Sequence, residues 1–182
     1  QRRLIVDASL QAGLSEAMDV LIHSPLRKKL GPIVDWHYVG QSQTQVHLEI
    51  PLATGAAQPP ISGDYQISSL LNNALISIAD SPVELEEISG AIGFSSESGL
   101  YSDNLIGTLW QQPLSAKIFK SDNQQKVVLK TTVKPTSLKQ FIDFPWGSIV
   151  SGVIPVEGTL NIDLQHPDRP VTLHLASLMQ GA

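Results

Sequence analysis

The alternation of apolar and polar residues is clearest over residues 126–134, and this period constrains the fold more than any other feature of the sequence. One face would carry Val127, Leu129, Thr131 and Val133, and the other mostly lysines. A period of two is that of a β-strand, whose successive side chains point to opposite sides. The chain is therefore predicted to be mainly β, with strands that have one apolar and one polar face.

Further segments with the same character extend this prediction to most of the chain. They are residues 3–11, 45–52, 65–79 (with a turn near Asn72 and Asn73), 88–94, 100–110, 113–120, 159–164 and 171–175. Most connections are too short to hold a crossover helix, so the strands are predicted to pair in antiparallel order. One long curved sheet and a two-sheet sandwich both fit, because periodicity does not say what faces the apolar side.

One segment near the start has a helical period instead. Its apolar residues recur at spacings of three and four, which places them on one side of a helix. They are Leu14, Ala17, Met18, Leu21 and Ile22. We predict an amphipathic helix with Ser15 as its N-cap, packed on the sheet through this apolar side.

Composition excludes several classes of protein. The 182 residues carry a formal net charge of −5 and have a pI of about 5.4, which argues against nucleic acid as a partner. Cysteine is absent, so disulfides, thiolate metal sites and cysteine nucleophiles are excluded, and an oxidising compartment is compatible. The length of the chain fits a single domain over residues 1–182. Because the chain opens on Gln1 rather than Met, we expect that this domain is cut from a longer protein.

Motifs that carry chemistry are missing from the sequence. The five histidines have no spacing that suits a helical metal site, and neither a nucleophile elbow nor a phosphate-binding loop occurs. We therefore expect no enzyme activity, no cofactor and no metal. A group of lysines between Lys117 and Lys139 favours either protection of an edge strand or, less strongly, a basic stripe that meets anionic groups.

The order of several short motifs resembles that of a known family. The motifs are Ser24-Pro25-Leu26, Gly40 followed by Leu48-Glu49-Ile50-Pro51-Leu52, Ile88-Ser89-Gly90-Ala91-Ile92-Gly93-Phe94 with Gly99-Leu100, Leu109-Trp110-Gln111-Gln112-Pro113-Leu114, and Trp146-Gly147 with Gly152. Their succession, over nearly the whole chain, resembles a periplasmic segment of the YhdP-type AsmA-like proteins.

This resemblance implies a fold and a function. The family is similar to TamB-like and bridge-type lipid transfer proteins, in which a β groove, apolar inside and polar outside, spans the periplasm. It implies an inner-membrane anchor outside this segment, adjacent repeats of the same protein as neighbours, and phospholipid as cargo between the inner and outer membranes. The fold expected is a long curved antiparallel sheet that forms an open groove, with one amphipathic helix packed on it.

The apolar positions of the predicted strands are the candidates for lining the groove or for forming a core. They are Val46, Leu48, Ile50, Ile92, Phe94, Leu114, Ile118, Val127, Leu129, Val133, Leu160, Ile162, Leu164, Leu173 and Leu175. A non-catalytic β-sandwich that binds glycan or protein in the cell envelope is the alternative function.

Overall fold

The computed structural model describes residues 3–24, 27–51, 64–81, 83–121, 124–134, 137, 152–162 and 172–177. Its helices are α1 (Leu14–Ile22) and α2 (Arg27–Leu30), followed by a 3-10 helix (Gly31–Asp35). Its strands are β1 (Arg3–Gly13), β2 (His37–Pro51), β3 (Asp64–Ser77), β4 (Glu84–Ser95), β5 (Gly99–Leu109), β6 (Gln112–Ser121), β7 (Gln124–Val133), β8 (Ile154–Ile162) and β9 (Thr172–Ser177).

All nine strands belong to one antiparallel sheet, and their order in the sheet is their order in the sequence. The predicted mainly β fold, a long curved sheet with an open groove and one amphipathic helix against it, is confirmed. The two-sheet sandwich is excluded for the strands that the structure describes, because none of them belongs to a second sheet.

Helix α1 follows β1 without a connecting loop, and its start differs from the prediction. The N-cap is Gly13 rather than Ser15, and the carboxylate of Glu16 accepts a hydrogen bond from the Gly13 backbone N–H at 3.1 Å. Because the chain turns from strand to helix at Gly13, Ser15 already lies in the first helical turn. The apolar side of α1 lies against β2, as the period predicts.

Strand β3 runs unbroken through the Asn pair that was predicted as a turn. Asn73 has a φ of 51°, and the register with β4 shifts between Leu71 and Ala74. The pair therefore forms a β-bulge, which uses the same left-handed backbone as many turns but leaves the strand continuous. Gly40 lies beside it on β2, at a φ of +130°, where a Cβ atom would lie 2.8 Å from the Cα atom of Ala74.

The two halves of the sheet differ in regularity. Register shifts interrupt each pairing from β2 to β6, whereas the pairings from β6 to β9 run without a shift. Bulges bend a strand and increase its local twist. The sheet therefore bends most where the bulges cluster, in the half that precedes β6.

The lysine-rich hairpin lies in the interior of the sheet, so its interpretation as edge protection was wrong. Strands β6 and β7 each pair with neighbours on both sides. Lys117 lies 3.3 Å from the carboxylate of Asp103, and Lys130 lies 3.3 Å from that of Glu157. These lysines pair with acidic side chains of the neighbouring strands instead of repelling a foreign strand.

Candidate functional site

Cross-strand pairing gathers the apolar residues of successive strands into rows on one side of the sheet, here named the apolar face. Val46 pairs with Ile67, Ile67 with Phe94, and Phe94 with Leu100, so one row crosses β2 to β5. A second row passes through Ile118, Val127 and Leu160 across β6, β7 and β8. The opposite side of the sheet is named the polar face.

The sequence-predicted candidates fall in these rows. Val46, Leu48, Ile92, Phe94, Leu114, Ile118, Val127, Leu129, Val133, Leu160 and Ile162 lie on the apolar face. The backbone positions of Ile50, Leu173 and Leu175 pair in register with the same rows. Leu164 lies outside the described residues. The alternation in the sequence identified the apolar residues of each strand separately. The register of the strands shows that these residues share one face of the sheet.

One part of the apolar face is packed against helices and is named the helix-covered section. Leu30 and Ile33, from α2 and the 3-10 helix, form a buried cluster with Tyr65, Ile67 and Phe94 of β3 and β4. The rings of Tyr65 and Phe94 are stacked, with centroids 5.6 Å apart. This packing has the character of a protein core, in which apolar side chains meet protein on every side.

The remaining part is built mainly from strand residues and is named the strand-lined section. Its buried members include Leu105, Leu109, Leu114 and Ile118, each 6–7% exposed, and α1 contributes Leu14. Strands β5 and β7 also contact each other, although β6 lies between them in the sheet. Curvature of the sheet therefore brings side chains of separate strands together, as a groove requires.

A shallow part of this section surrounds Leu129. The neighbours of Leu129 in its row are Ala116 on β6 and Gly158 on β8, both smaller than the leucine between them. Leu129 and Val127 are only half-buried, in contrast to Leu114 and Ile118. Small residues beside half-exposed aliphatic ones leave apolar surface that a guest molecule can reach.

A buried glutamine connects β7 with β5 across the intervening strand. Gln125 is 2% exposed, its Oε1 accepts a hydrogen bond from the Leu100 N–H at 3.1 Å, and its Nε2 donates to the Leu100 carbonyl. Leu100 packs against both clusters of the apolar face. The Gln125 side chain therefore satisfies backbone groups at the junction of the two sections, where an unpaired group would be costly.

The buried serine and threonine hydroxyl groups of the described residues bond to the protein itself. Each of these four forms a hydrogen bond with a backbone carbonyl or with another hydroxyl, which satisfies it without a partner from outside. The pairs are Ser42 with the carbonyl of Ala12 at 3.4 Å, Thr44 with Ser69 at 2.8 Å, Ser102 with the carbonyl of Ala91 at 2.6 Å, and Thr131 with that of Pro113 at 2.9 Å. This face thus offers a guest mainly aliphatic contact.

Charge is concentrated on the polar face of the described strands. At its β1 edge, Arg3 pairs with Glu49 at 2.7 Å, and His47 Nδ1 donates a hydrogen bond to the carboxylate of Asp7 at 2.6 Å. The hydrogen bond with Asp7 raises the pKa of His47 above 6.5. On the apolar side, Lys120 lies at the margin, where its ammonium donates to the Glu97 carbonyl at 3.2 Å.

Several members of the apolar face were missed by the sequence reasoning. Leu71, Ala74 and Ile88 are buried in the same cluster as Leu105 and Leu109. Bulges shift the period between Leu71 and Ala74, and again between Ser102 and Leu105. The sequence did contain a signal for two of the missed residues. Leu105 and Leu109 lie at alternate positions with Gly107, within the strand predicted over residues 100–110.

Two kinds of site are absent from the part of the chain that the structure describes. No group of three or more histidine, aspartate or glutamate side chains there is arranged to hold a metal ion. No described helix has both the length and the apolar character needed to cross a bilayer.

Comparison with protein families decides the relationship that the motif order indicates. The family model described as YhdP protein matches residues 1–182. The chain belongs to the YhdP family. The resemblance to YhdP-type AsmA-like proteins is thereby confirmed. Comparisons with curated proteins and with solved structures found no match.

Proposed function

We propose that this chain is a segment of a lipid transfer protein of the cell envelope, and that its apolar face shelters phospholipid acyl chains. The observation that carries the proposal is the continuity of the apolar rows across the sheet, together with charge pairs on the opposite face. Membership of the YhdP family supports the same conclusion. In this proposal the segment lies in the periplasm, between an inner membrane to which other regions attach it and the outer membrane.

Acyl chains suit such a face for an energetic reason. Each methylene removed from water contributes about 0.8 kcal/mol, so a chain of many methylenes binds without a specific polar contact. Hydroxyls that already bond to the protein do not have to be desolvated again when the lipid arrives. The headgroup remains in water beyond the groove, and the lipid is free to move along it.

The proposal includes neither a chemical step nor a cofactor. Transfer needs a surface that binds hydrocarbon along its length with nearly uniform strength, because a deep local site would trap the lipid. Adjacent repeats of the same protein would continue the groove at either end, and phospholipid is the partner proposed for the face itself.

The first experiment asks whether the chain carries lipid. Native mass spectrometry of gently purified protein is expected to show bound phospholipid, and delipidated protein should take up a fluorescent phospholipid. Protein that holds no lipid and takes none up would contradict the proposal.

A pair of neighbouring substitutions tests which face is responsible. Leu129→Arg puts a cation among the half-buried aliphatic residues of the strand-lined section and is expected to abolish lipid uptake, because burying an unpaired charge is costly. Val128→Arg is the matched control, since residue 128 lies on the same strand but on the polar face. Circular dichroism and thermal melts show whether both variants remain folded. Equal loss of uptake in the two variants would argue against the apolar face.

A further inference from the structure

The polar face of β1, β2 and β3 carries a lattice of side-chain amides. Gln41, Gln43 and Gln45 follow one another at alternate positions of β2, and Gln43 pairs with Gln11 of β1. All four side chains are exposed. We name this group, together with Gln66 of β3, the amide surface.

Two depressions lie side by side on this surface. One has a volume of about 310 Å³ and is lined by Gln11, Gln41 and Gln43 together with the exposed Leu70, which supplies apolar surface. The other has a volume of about 480 Å³ and is lined by residues that include Gln45 and Gln66. Since a strand rises roughly 3.4 Å per residue, the segment from Gln41 to His47 spans about 20 Å, which is long enough for several units of a chain-like ligand.

An aromatic ring lies over Gly93 and contacts Gln66, one of the residues that line the second depression. Tyr101 of β5 covers Gly93 of β4 so closely that a Cβ atom on Gly93 would lie 2.2 Å from the Cζ atom of the ring. The Tyr101 hydroxyl accepts a hydrogen bond from Gln66 Nε2 at 3.4 Å. One register row joins Ser9, Gln45, Ser68, Gly93 and Tyr101. The row brings the ring and the amides onto one continuous surface.

The chemistry of this surface selects its ligand. An amide offers both a donor and an acceptor, and therefore matches a hydroxyl group, which also does both. A tyrosine ring packed over a glycine of the neighbouring strand gives a rigid apolar platform at little entropic cost. The charged groups that line the second depression, Asp7 and His47, are paired with each other at 2.6 Å, so the surface has no unpaired cation to attract an anion.

From these features we infer that the amide surface binds a neutral oligosaccharide, with sugar hydroxyls on Gln43 and Gln45 and one sugar ring stacked on Tyr101. This site lies on the face opposite the one proposed for lipid, so a negative result for either ligand does not bear on the other proposal.

The test uses the 182-residue chain and three defined probes. Chitotetraose and maltotetraose are neutral, and tetragalacturonate is their anionic counterpart. Titrations followed by calorimetry and by ¹⁵N NMR are expected to show binding of a neutral tetrasaccharide, at least tenfold tighter than tetragalacturonate. The side-chain amide signals of Gln43 and Gln45 should shift on binding. No binding of either neutral probe at millimolar concentration, or preference for the anion, would overturn the inference.

Substitutions then locate the site. Tyr101→Ala should weaken binding at least tenfold, whereas Tyr101→Phe, which keeps the platform, should weaken it less than threefold. Gly93→Ala displaces the ring from its seat without touching the ligand and should weaken binding at least threefold. This variant decides the matter if Tyr101→Ala fails to fold.

The amides have their own variant and control. The double substitution Gln43→Ala and Gln45→Ala should weaken binding at least fivefold, because it removes two adjacent donor and acceptor pairs. Gln124→Ala is the matched control. Gln124 lies next to the apolar-face residue Gln125 on β7, so its side chain is on the polar face, but it is several strands away from the amide surface. Binding that survives the double substitution, or that falls equally in the control, would place the saccharide elsewhere and overturn the inference.

Discussion

The helix-covered and strand-lined sections share one face of one sheet, but they differ in what covers their apolar side chains. In the first, Leu30 and Ile33 close over Tyr65, Ile67 and Phe94, so the aliphatic surface is used up within the protein. In the second, the strands face one another through curvature, and residues such as Leu129 stay half-buried. The same alternation of residues can thus build a core or a binding surface, and the packed helices make the difference.

This difference predicts where the stability of the fold resides. Side chains in the helix-covered section should contribute mostly to the free energy of unfolding, because they lose contacts that no guest molecule replaces. Half-buried side chains of the strand-lined section should contribute mostly to ligand binding. The predictions that follow test this division, beginning with the largest effect.

Phe94→Ala is expected to give the largest loss of stability. Removal of a buried aromatic ring costs about 3–5 kcal/mol of unfolding free energy, and the stacking with Tyr65 is lost as well. Urea denaturation followed by circular dichroism measures the change. Ile106→Ala is the control on the polar face, where Ile106 is 54% exposed, and it should change stability by less than about 0.5 kcal/mol. Similar losses in both variants would contradict the assignment of Phe94 to a packed core.

Gln125→Leu tests the junction between the two sections. The substitution leaves the backbone N–H and carbonyl of Leu100 without the side chain that now binds them. Unpaired buried groups cost about 1–3 kcal/mol. Hydrogen exchange should show faster opening at Leu100, while the amides that pair β1 with β2, at the far edge of the sheet, keep their protection. Unchanged exchange at Leu100 would mean that the Gln125 contact does not hold the junction.

Leu129→Ala should change stability only slightly and lipid uptake more. Truncation of a half-buried leucine lowers the free energy of unfolding by about 1 kcal/mol or less when little of the side chain is enclosed by protein. Uptake of a fluorescent phospholipid by the delipidated variant is expected to fall several-fold. A loss of stability as large as that of Phe94→Ala would identify Leu129 as part of a closed core.

The smallest expected effect concerns pH at the β1 edge, which flanks the helix-covered section. The pKa of His47 is raised above 6.5, first of all by the hydrogen bond with Asp7. The stabilisation from this pair is therefore fully present below pH 6.5 and is lost as the pH rises through the folded-state pKa. An NMR titration should find a pKa above 6.5, and Asp7→Asn should return it towards that value. A wild-type pKa at or below 6.5 would contradict the assignment.

Much of the fold was accessible from the sequence because its strands are amphipathic. The period over residues 126–134 predicted β7 to within two residues of its observed bounds, Gln124–Val133. The apolar period of α1 was equally informative, whereas its N-cap was not, because a strand that enters the helix directly leaves no place for a capping serine outside it. Local patterns therefore defined the elements better than their ends.

The candidate site was less accessible, for two physical reasons. A bulge and a turn use the same left-handed backbone, so the bulge at Asn73 was predicted as a turn. What lies opposite an apolar face depends on curvature and on helices far away in the sequence, as the burial of Leu30 and Phe94 in one cluster illustrates. A period of two shows which side chains share a face of the strand, but it does not show which other part of the protein packs against that face.

The sequential order of the strands has a consequence for how the protein forms. Each strand pairs with the strand that precedes it in the sequence, so each pairing closes only the connection between two successive strands and needs no distant partner. A sheet of this kind can grow during synthesis, each new hairpin adding to an edge that already exists. Pairing between successive strands favours faster folding than a sheet of the same size whose strands pair with partners far away in the sequence.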